Sequence, residues 1–317
     1  MDYRILGRTG VKVAPLCLGA MNFGKRTEAD EAMGILSRYV EMGGNFIDTA
    51  NVYAGGRSEE IIGRWMKENG TRHQVVLSTK VFGKRSPHVN DKGNHRWHIV
   101  REVEQALRRL QTDFIDLYHV HRPDPDTPID HTLRALEHLI RQGKVLYIAS
   151  STFPAWELCE AHFVAEKLNI PRFDVEQPPF NILDRSAETE VLPFCRRYNV
   201  AVINWGPLAH GLLCGKYTRG GRHFPEDAAF ASKSEADYSS QQWTVMEGVD
   251  RLADECGIAS SQFALAWCLH HPDLTCPIIG PRTVAQLEDN MAAVDVRLSP
   301  DVREKVDQLS PPGETCG

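Results

Sequence analysis

The sequence predicts an α/β fold: a (β/α)8 TIM barrel with an N-terminal β-hairpin and a long loop after the seventh barrel strand. Three observations point there. About eight short apolar runs recur along the 317 residues, each with a helix-like partner segment. Strands alternating with helices imply a parallel sheet with right-handed crossovers. Three consecutive runs end in ionisable side chains, at Asp48, Lys80 and His121, so a parallel sheet delivers all three to one carboxyl end. Lastly, Gly19-Ala20-Met21-Asn22-Phe23-Gly24 after the first core strand is not the G-x-G-x-x-G of a doubly wound sheet. That fold is therefore the runner-up.

Residues 3–6 and 11–13 flank Gly7-Arg8-Thr9-Gly10 and read as the hairpin. A first core strand follows over 16–19. A helix over 28–42 stops at Gly43-Gly44, a natural C-terminal signal. Strand 45–48 leads to helix 58–68, and strand 75–80 to helix 97–110. The apolar positions of that last helix, Ile99, Val103, Ala106, Leu107 and Leu110, recur at helical spacing. Strand 114–120 is followed by helix 132–141, strand 145–149 by helix 155–168, and strand 173–176 by helix 187–198. After strand 201–204 comes a Gly-rich, charged loop over 207–240, long enough to suggest a functional lid. Helices 241–256 and 260–270, strand 275–279 and helix 284–293 complete the pattern. No domain boundary is evident, so residues 1–317 read as a single domain.

Composition narrows the function classes. With 42% hydrophobic and 25% charged residues the chain is ordinary globular protein. A net charge of −6 argues against a nucleic-acid partner. No apolar h-region follows Met1, and no apolar run approaches the ~20 residues of a bilayer span. Neither a signal peptide nor a membrane segment is therefore expected. The eight cysteines form no C-x-x-C pair and read as free, partly buried thiols, which fits a reducing cytoplasm.

The strand-end cluster carries the chemistry. Lys80 ends an apolar, β-branched run, and an unpaired ammonium there would be costly. Asp48 at the neighbouring strand end is its counter-ion. Tyr53 lies just beyond, and a cation shifts a nearby tyrosine toward phenolate. His121 can orient a substrate oxygen. Together they suit protonation of a carbonyl oxygen while a hydride arrives at carbon. Each residue alone has a bland reading: a cap for Asp48, packing for Tyr53, a surface lysine for Lys80, a structural imidazole for His121. Their coincidence at strand ends favours catalysis. A metal hydrolase is the competing reading, because His119 and His121 form an H-x-H pair. A catalytic zinc usually takes three protein ligands, and the other strand ends offer few, so no metal is expected.

In these residues the chain resembles the aldo-keto reductase family, over nearly its whole length. Asp48-Thr49-Ala50-x-x-Tyr53 is similar to the family's D-T-A-x-x-Y, Ser78-Thr79-Lys80 to its S/T-K strand end, and Asp116-Leu117-Tyr118-x-x-His121 to its D-L-Y-x-x-H. The resemblance implies a barrel that binds NAD(P)H extended across its carboxyl face. It implies Tyr53 as general acid, Lys80 and Asp48 as its tuning pair, and His121 as the substrate-orienting group. For the cofactor it implies Gly19, Ala20, Met21 and Asp48; Ser151 and Thr152, the latter where the family has Asn; and Gln177. Trp205, Gly206, Pro207 and Leu208 resemble W/Y-S-P-L, with Gly206 in place of Ser. Lys216 matches a lysine near the pyrophosphate. Gly280, Arg282, Gln286, Asp289 and Asn290 fall in a segment similar to I-G-x-R-x-x-x-Q-L-x-x-N. Arg282 facing a 2′-phosphate favours NADPH, with NADH possible. Arg219 and Arg222 are further cations that the long loop could bring there.

Phe23, Phe82 and Trp97 are the substrate-side candidates, each equally readable as core. The expected partner is a small-molecule carbonyl substrate, an aldehyde or ketone. Residues 89–93 also resemble relatives acting on nucleotide-linked keto or enoyl sugars in deoxysugar biosynthesis. Other relatives are cofactor-sensing subunits of membrane channels, which leaves a non-catalytic alternative. Oligomeric state is not readable.

Overall fold

The computed structural model describes residues 1–217, 219 and 235–316. Two short antiparallel strands, β1 (Arg4–Ile5) and β2 (Lys12–Val13), form the hairpin. Eight parallel strands follow: β3 (Cys17–Gly19), β4 (Phe46–Asp48), β5 (Val76–Val81), β6 (Ile115–Val120), β7 (Val145–Ser151), β8 (Val175–Gln177), β9 (Ala201–Val202) and β10 (Ile278–Ile279). Their order is β10-β3-β4-β5-β6-β7-β8-β9. Backbone N–H groups of Thr275 and Ile278 donate to the Val202 and Asn204 carbonyls at 2.8 and 2.9 Å, which joins β10 back to β9 and closes the ring. The (β/α)8 expectation holds.

Apolar periodicity explains the helical layer. In α1 (Ala29–Glu41), Ala32, Ile35, Leu36 and Tyr39 share the buried face. The Tyr39 hydroxyl donates to the Leu16 carbonyl at 2.6 Å and so fixes the helix to its strand. Then come α2 (Arg57–Asn69), α3 (Arg96–Leu110), α4 (Ile129–Arg141), α5 (Ala155–Leu168), α6 (Val191–Tyr198), α7 (Ser240–Cys256), α8 (Ser260–Leu269), α9 (Val284–Ala292) and α10 (Pro300–Leu309). The larger core lies between strands and helices. A smaller one fills the amino end of the barrel, where Leu6 and Val13 of the hairpin pack with Phe46, Leu117 and Val175. Gly7 permits this plug: its φ is +54°, and a Cβ there would lie 2.9 Å from the Ala201 nitrogen.

The structure corrects several element bounds. The helix expected over 187–198 is a 3-10 turn at Ser186–Glu188 followed by α6, because Glu190 takes a non-helical φ of −138° between them. The last strand is two residues rather than five, with Pro277 unable to donate just before it. Helix α10 was not expected. Its signals were present, in Ser299 as N-cap and Pro300 at the first turn. Of the expected 207–240 loop, residue 218 and residues 220–234, Arg222 included, lie outside the described residues. Among the described residues no helix is long and apolar enough to cross a membrane. All eight cysteines are free thiols, and five are buried.

Candidate active site

Parallel pairing in register does what the strand-end argument requires. Asp48 pairs with Ser78 across β4 and β5, and Lys80 with His119 across β5 and β6. The Lys80 ammonium is fully buried and ion-paired to Asp48 Oδ2. It also donates to the Thr49 carbonyl at 2.8 Å. Asp48 Oδ1 accepts from Ser78 Oγ at 2.9 Å and Gln177 Nε2 at 3.2 Å. This buried pair therefore meets the condition for persistence, which is further hydrogen bonds on both partners. Burial disfavours the charge on Lys80, but Asp48 and Tyr53 outweigh it and its pKa is raised, so the ammonium stays charged.

Tyr53 opens a 3-10 turn, Tyr53–Gly56, directly beyond β4. Ala54, Gly55 and Gly56 take φ of +48°, +65° and +96°, and the two glycines make this left-handed path feasible. A buried ionic network backs the turn. Arg109 reaches Glu59 at 2.6 Å and Glu102 at 2.5 Å, and Arg85 Nη2 donates to the Gly55 carbonyl at 3.0 Å. A Cβ on Gly56 would meet the Arg109 and Arg85 side chains at 2.9 Å. The Tyr53 ring centroid then lies 5.3 Å from Lys80 Nζ. Lys80 does favour the phenolate, as expected, but burial outweighs it and Asp48 adds to the burial effect. The Tyr53 pKa is raised rather than lowered.

His121 follows β6 and meets Tyr53 edge-on, centroids 5.9 Å apart and planes at 82°. Burial, then Lys80, push its pKa down to about 3, so the imidazole is neutral at physiological pH. His119 points into the barrel below it, fully buried and held neutral by the same two causes. Among the described residues no three His, Cys, Asp or Glu side chains gather as a metal site.

Asp48, Tyr53 and His121 face a cavity of about 670 Å³. Every residue assigned to a cofactor lines it except Thr152. The Thr152 hydroxyl is instead taken by Arg122, and Trp205 Nε1 donates to it at 3.3 Å. Thr152 also carries φ of +59°, a strained region for a β-branched residue. An extended dinucleotide fits these residues. At one end Ser151, Gln177 and the Trp205 ring offer amide partners and a flat wall. At the other, Arg26, Lys216 and Arg282 offer positive charge for phosphates. Gly280 faces open space that a Cβ would occupy, with Asn22 Nδ2 at 3.7 Å its nearest neighbour. Asp289 is oriented by Ser261 Oγ and Gln262 Nε2, at 2.7 and 2.8 Å.

The substrate-side aromatics are not brought together. Phe23 is fully buried in the main core. Trp97 is 53% exposed and packs edge-on against His88. Neither they nor Phe82 line the cavity. Sequence reasoning missed Arg26, Arg122, His210 and Cys214, which do line it. Arg122 had a signal, its place one residue past a strand-end histidine; Arg26 had none.

The sequence model of the Aldo/keto reductase family matches residues 15–311. The chain is 41% identical to "Uncharacterized oxidoreductase YrpG" of Bacillus subtilis (strain 168), over 99% of this chain and 98% of that protein. It is 38% identical to "Probable voltage-gated potassium channel subunit beta" of Arabidopsis thaliana, over 98% and 96% respectively. It is 33% identical to "Norsolorinic acid reductase" of Aspergillus flavus, over 98% and 81%. The chain thus belongs to the aldo/keto reductase family and is an NAD(P)H-dependent oxidoreductase.

Proposed function

We propose that this protein reduces an aldehyde or ketone to an alcohol with NADPH, using Tyr53 as general acid. The observation that carries the reading is the buried Lys80–Asp48 pair beside Tyr53, with neutral His121 edge-on at the same cavity wall. When bound, the nicotinamide supplies a hydride to the carbonyl carbon. Neutral His121 donates a hydrogen bond to the carbonyl oxygen and orients it. Tyr53, kept protonated by its raised pKa, delivers its O–H proton to that oxygen as negative charge develops. The Lys80 ammonium stabilises the resulting phenolate, and Asp48 fixes the ammonium in place. Ser151 and Gln177 would hold the carboxamide, Trp205 the ring face, and Arg282 with Arg26 the 2′-phosphate. Residues 1–317 act in this reading as one catalytic barrel.

NADPH oxidation measured against a panel of small aldehydes, beside NADH, tests the proposal. Wild type should consume NADPH in preference. Tyr53→Phe should lose at least ~100-fold in kcat, the contribution of a positioned general acid, while keeping its NADPH Kd. Activity surviving in Tyr53→Phe would overturn the mechanism. The relative named as a potassium channel subunit favours a second reading, cofactor sensing on behalf of a partner. NADPH binding without oxidation of any carbonyl compound would support it.

A further inference from the structure

Arg122 is the cation of the reacting end of the cavity that forms no ion pair with a described carboxylate; the buried carboxyl of Glu176 feels its charge but is engaged by Ser150 Oγ and the Phe153 amide. Lys80 is committed to Asp48. Arg26, Lys216 and Arg282 line the far, phosphate-suited end. Arg122 lines the cavity immediately after His121. Among the described residues no Asp or Glu oxygen lies within the 4.0 Å of an ion pair from its guanidinium. Its charge acts on Tyr53 and His121 alike, which places it near both groups that would handle the substrate oxygen.

The side chain is held rather than loose. One N–H group donates to Thr152 Oγ1, and the guanidinium carbon sits 5.9 Å from the Trp205 ring centroid. Trp205 Nε1 donates to the same hydroxyl at 3.3 Å, so both lone pairs of Thr152 Oγ1 are used to join the two side chains. Thr152 does this from left-handed backbone at φ +59°, strain of the kind that collects at functional sites. Of the five N–H donors of Arg122, only the one to Thr152 has a protein partner among the described residues. The remainder form a planar fork that can take a carboxylate in two parallel hydrogen bonds.

We propose that Arg122, propped by Thr152 and Trp205, is a specificity-determining residue that selects carbonyl substrates bearing a carboxylate. The proposal rests on the reductase reading above and names its substrate class. No chemical step is added: the carbonyl is reduced as before, and the carboxylate is bound unchanged.

The test compares 4-carboxybenzaldehyde with its methyl ester, methyl 4-formylbenzoate, through the ratio of their kcat/KM values. Wild type should favour the acid. Arg122→Met should lower the acid-to-ester ratio by about 10- to 100-fold, the scale of one lost charge-assisted contact, with most of the change in KM. Arg122→Lys should recover part of it. An unchanged ratio in Arg122→Met would overturn the proposal. So would equal losses on both compounds with a matching rise in NADPH Kd, which would assign Arg122 to the cofactor. Failure of wild type to turn over either compound would count against the reductase reading instead. Calorimetric titration of benzoate into the NADPH-loaded protein then decides for Arg122. Binding weakened at least 10-fold in Arg122→Met supports the anion site; equal binding, or none by wild type, refutes it.

Discussion

Replacing Lys80 with Met isolates the central electrostatic claim. Lys80 is fully buried, and its ammonium serves two acceptors, Asp48 Oδ2 and the Thr49 carbonyl. Methionine fills the stem's volume but donates nothing. The Thr49 oxygen loses a partner, which costs about 1–3 kcal/mol when the group is buried. The Asp48 carboxylate loses its counter-ion and keeps only Ser78 and Gln177 as donors. Breaking one side of a buried pair costs about 3–5 kcal/mol in all. At about 2 °C per kcal/mol for a large chain, Tm should fall by roughly 6–10 °C. The double change Lys80→Met with Asp48→Asn should recover most of that fall, because removing both charges removes the uncompensated one. Thermal unfolding of wild type, both single variants and the double variant gives the coupling directly. If Lys80→Met lowered Tm by less than 2 °C, or the double variant melted below it, the pair would not be the buried, mutually dependent unit described here. The same variants should have lost turnover, so stability and catalysis are read on one set of proteins.

Glu176 is fully buried on β8, where it accepts from Ser150 Oγ at 2.5 Å and from the Phe153 amide at 3.2 Å, and burial pushes its pKa up to about 7. An acid whose folded pKa exceeds its unfolded value of ~4.3 binds a proton only in the folded state between those pH values. Stability therefore falls as pH rises through that window, by about 4 kcal/mol in total. Glu176→Gln should raise Tm at pH 8 and leave it nearly unchanged at pH 4; an equal shift at both would refute the account. Thr152→Val keeps the left-handed backbone but removes the hydroxyl that Arg122 and Trp205 share, and should destabilise the protein by about 1–3 kcal/mol in thermal unfolding; an unchanged Tm would refute the prop. In the pH profile of kcat/KM for reduction, His121 with its pKa near 3 should give no inflection between pH 5 and 8. In the proposed mechanism Tyr53 must be protonated to act, and burial raises its pKa, so activity should fall only on the alkaline side of the ordinary tyrosine range; an inflection near neutrality would assign the proton to another group.

Much of the fold was legible because its signals are local. Strand runs, helical periodicity and Gly43-Gly44 stops act within a dozen residues, and β4, β5, β6 and the helices behind them fall within a few residues of where they were expected. Errors arose where tertiary contacts override local pattern. The segment before α6 is diverted because Arg185 and the Gly313 amide engage Glu188. The last strand shortens at Pro277, yet its neighbours still make the hydrogen bonds that close the barrel. Helix α10 had both cap signals but buries only Val306, so it carries little apolar periodicity to read.

The site divides along the same line. Asp48, Lys80 and His121 were found because residue type and strand end together specify position, and parallel register brings equivalent ends side by side. The groups that hold Tyr53 were not found. Glu59 and Arg109 are 50 residues apart and read singly as charges on exposed helix turns, whereas folding buries them as one network behind the Tyr53 turn. Arg122 was visible as a residue but not as a cation outside any ion pair, since that property depends on where the carboxylates of other strands, Glu176 on β8 among them, are held. Tyr53 shows the limit most sharply. Pairwise reasoning gave the correct sign for the Lys80 effect, but the net shift has the opposite sign because burial belongs to the whole cavity wall and to no pair of residues. For a reductase the outcome is chemically apt. A tyrosine that must arrive protonated is better served by a raised pKa, and Lys80 then acts where its charge matters, on the phenolate left after the proton has gone.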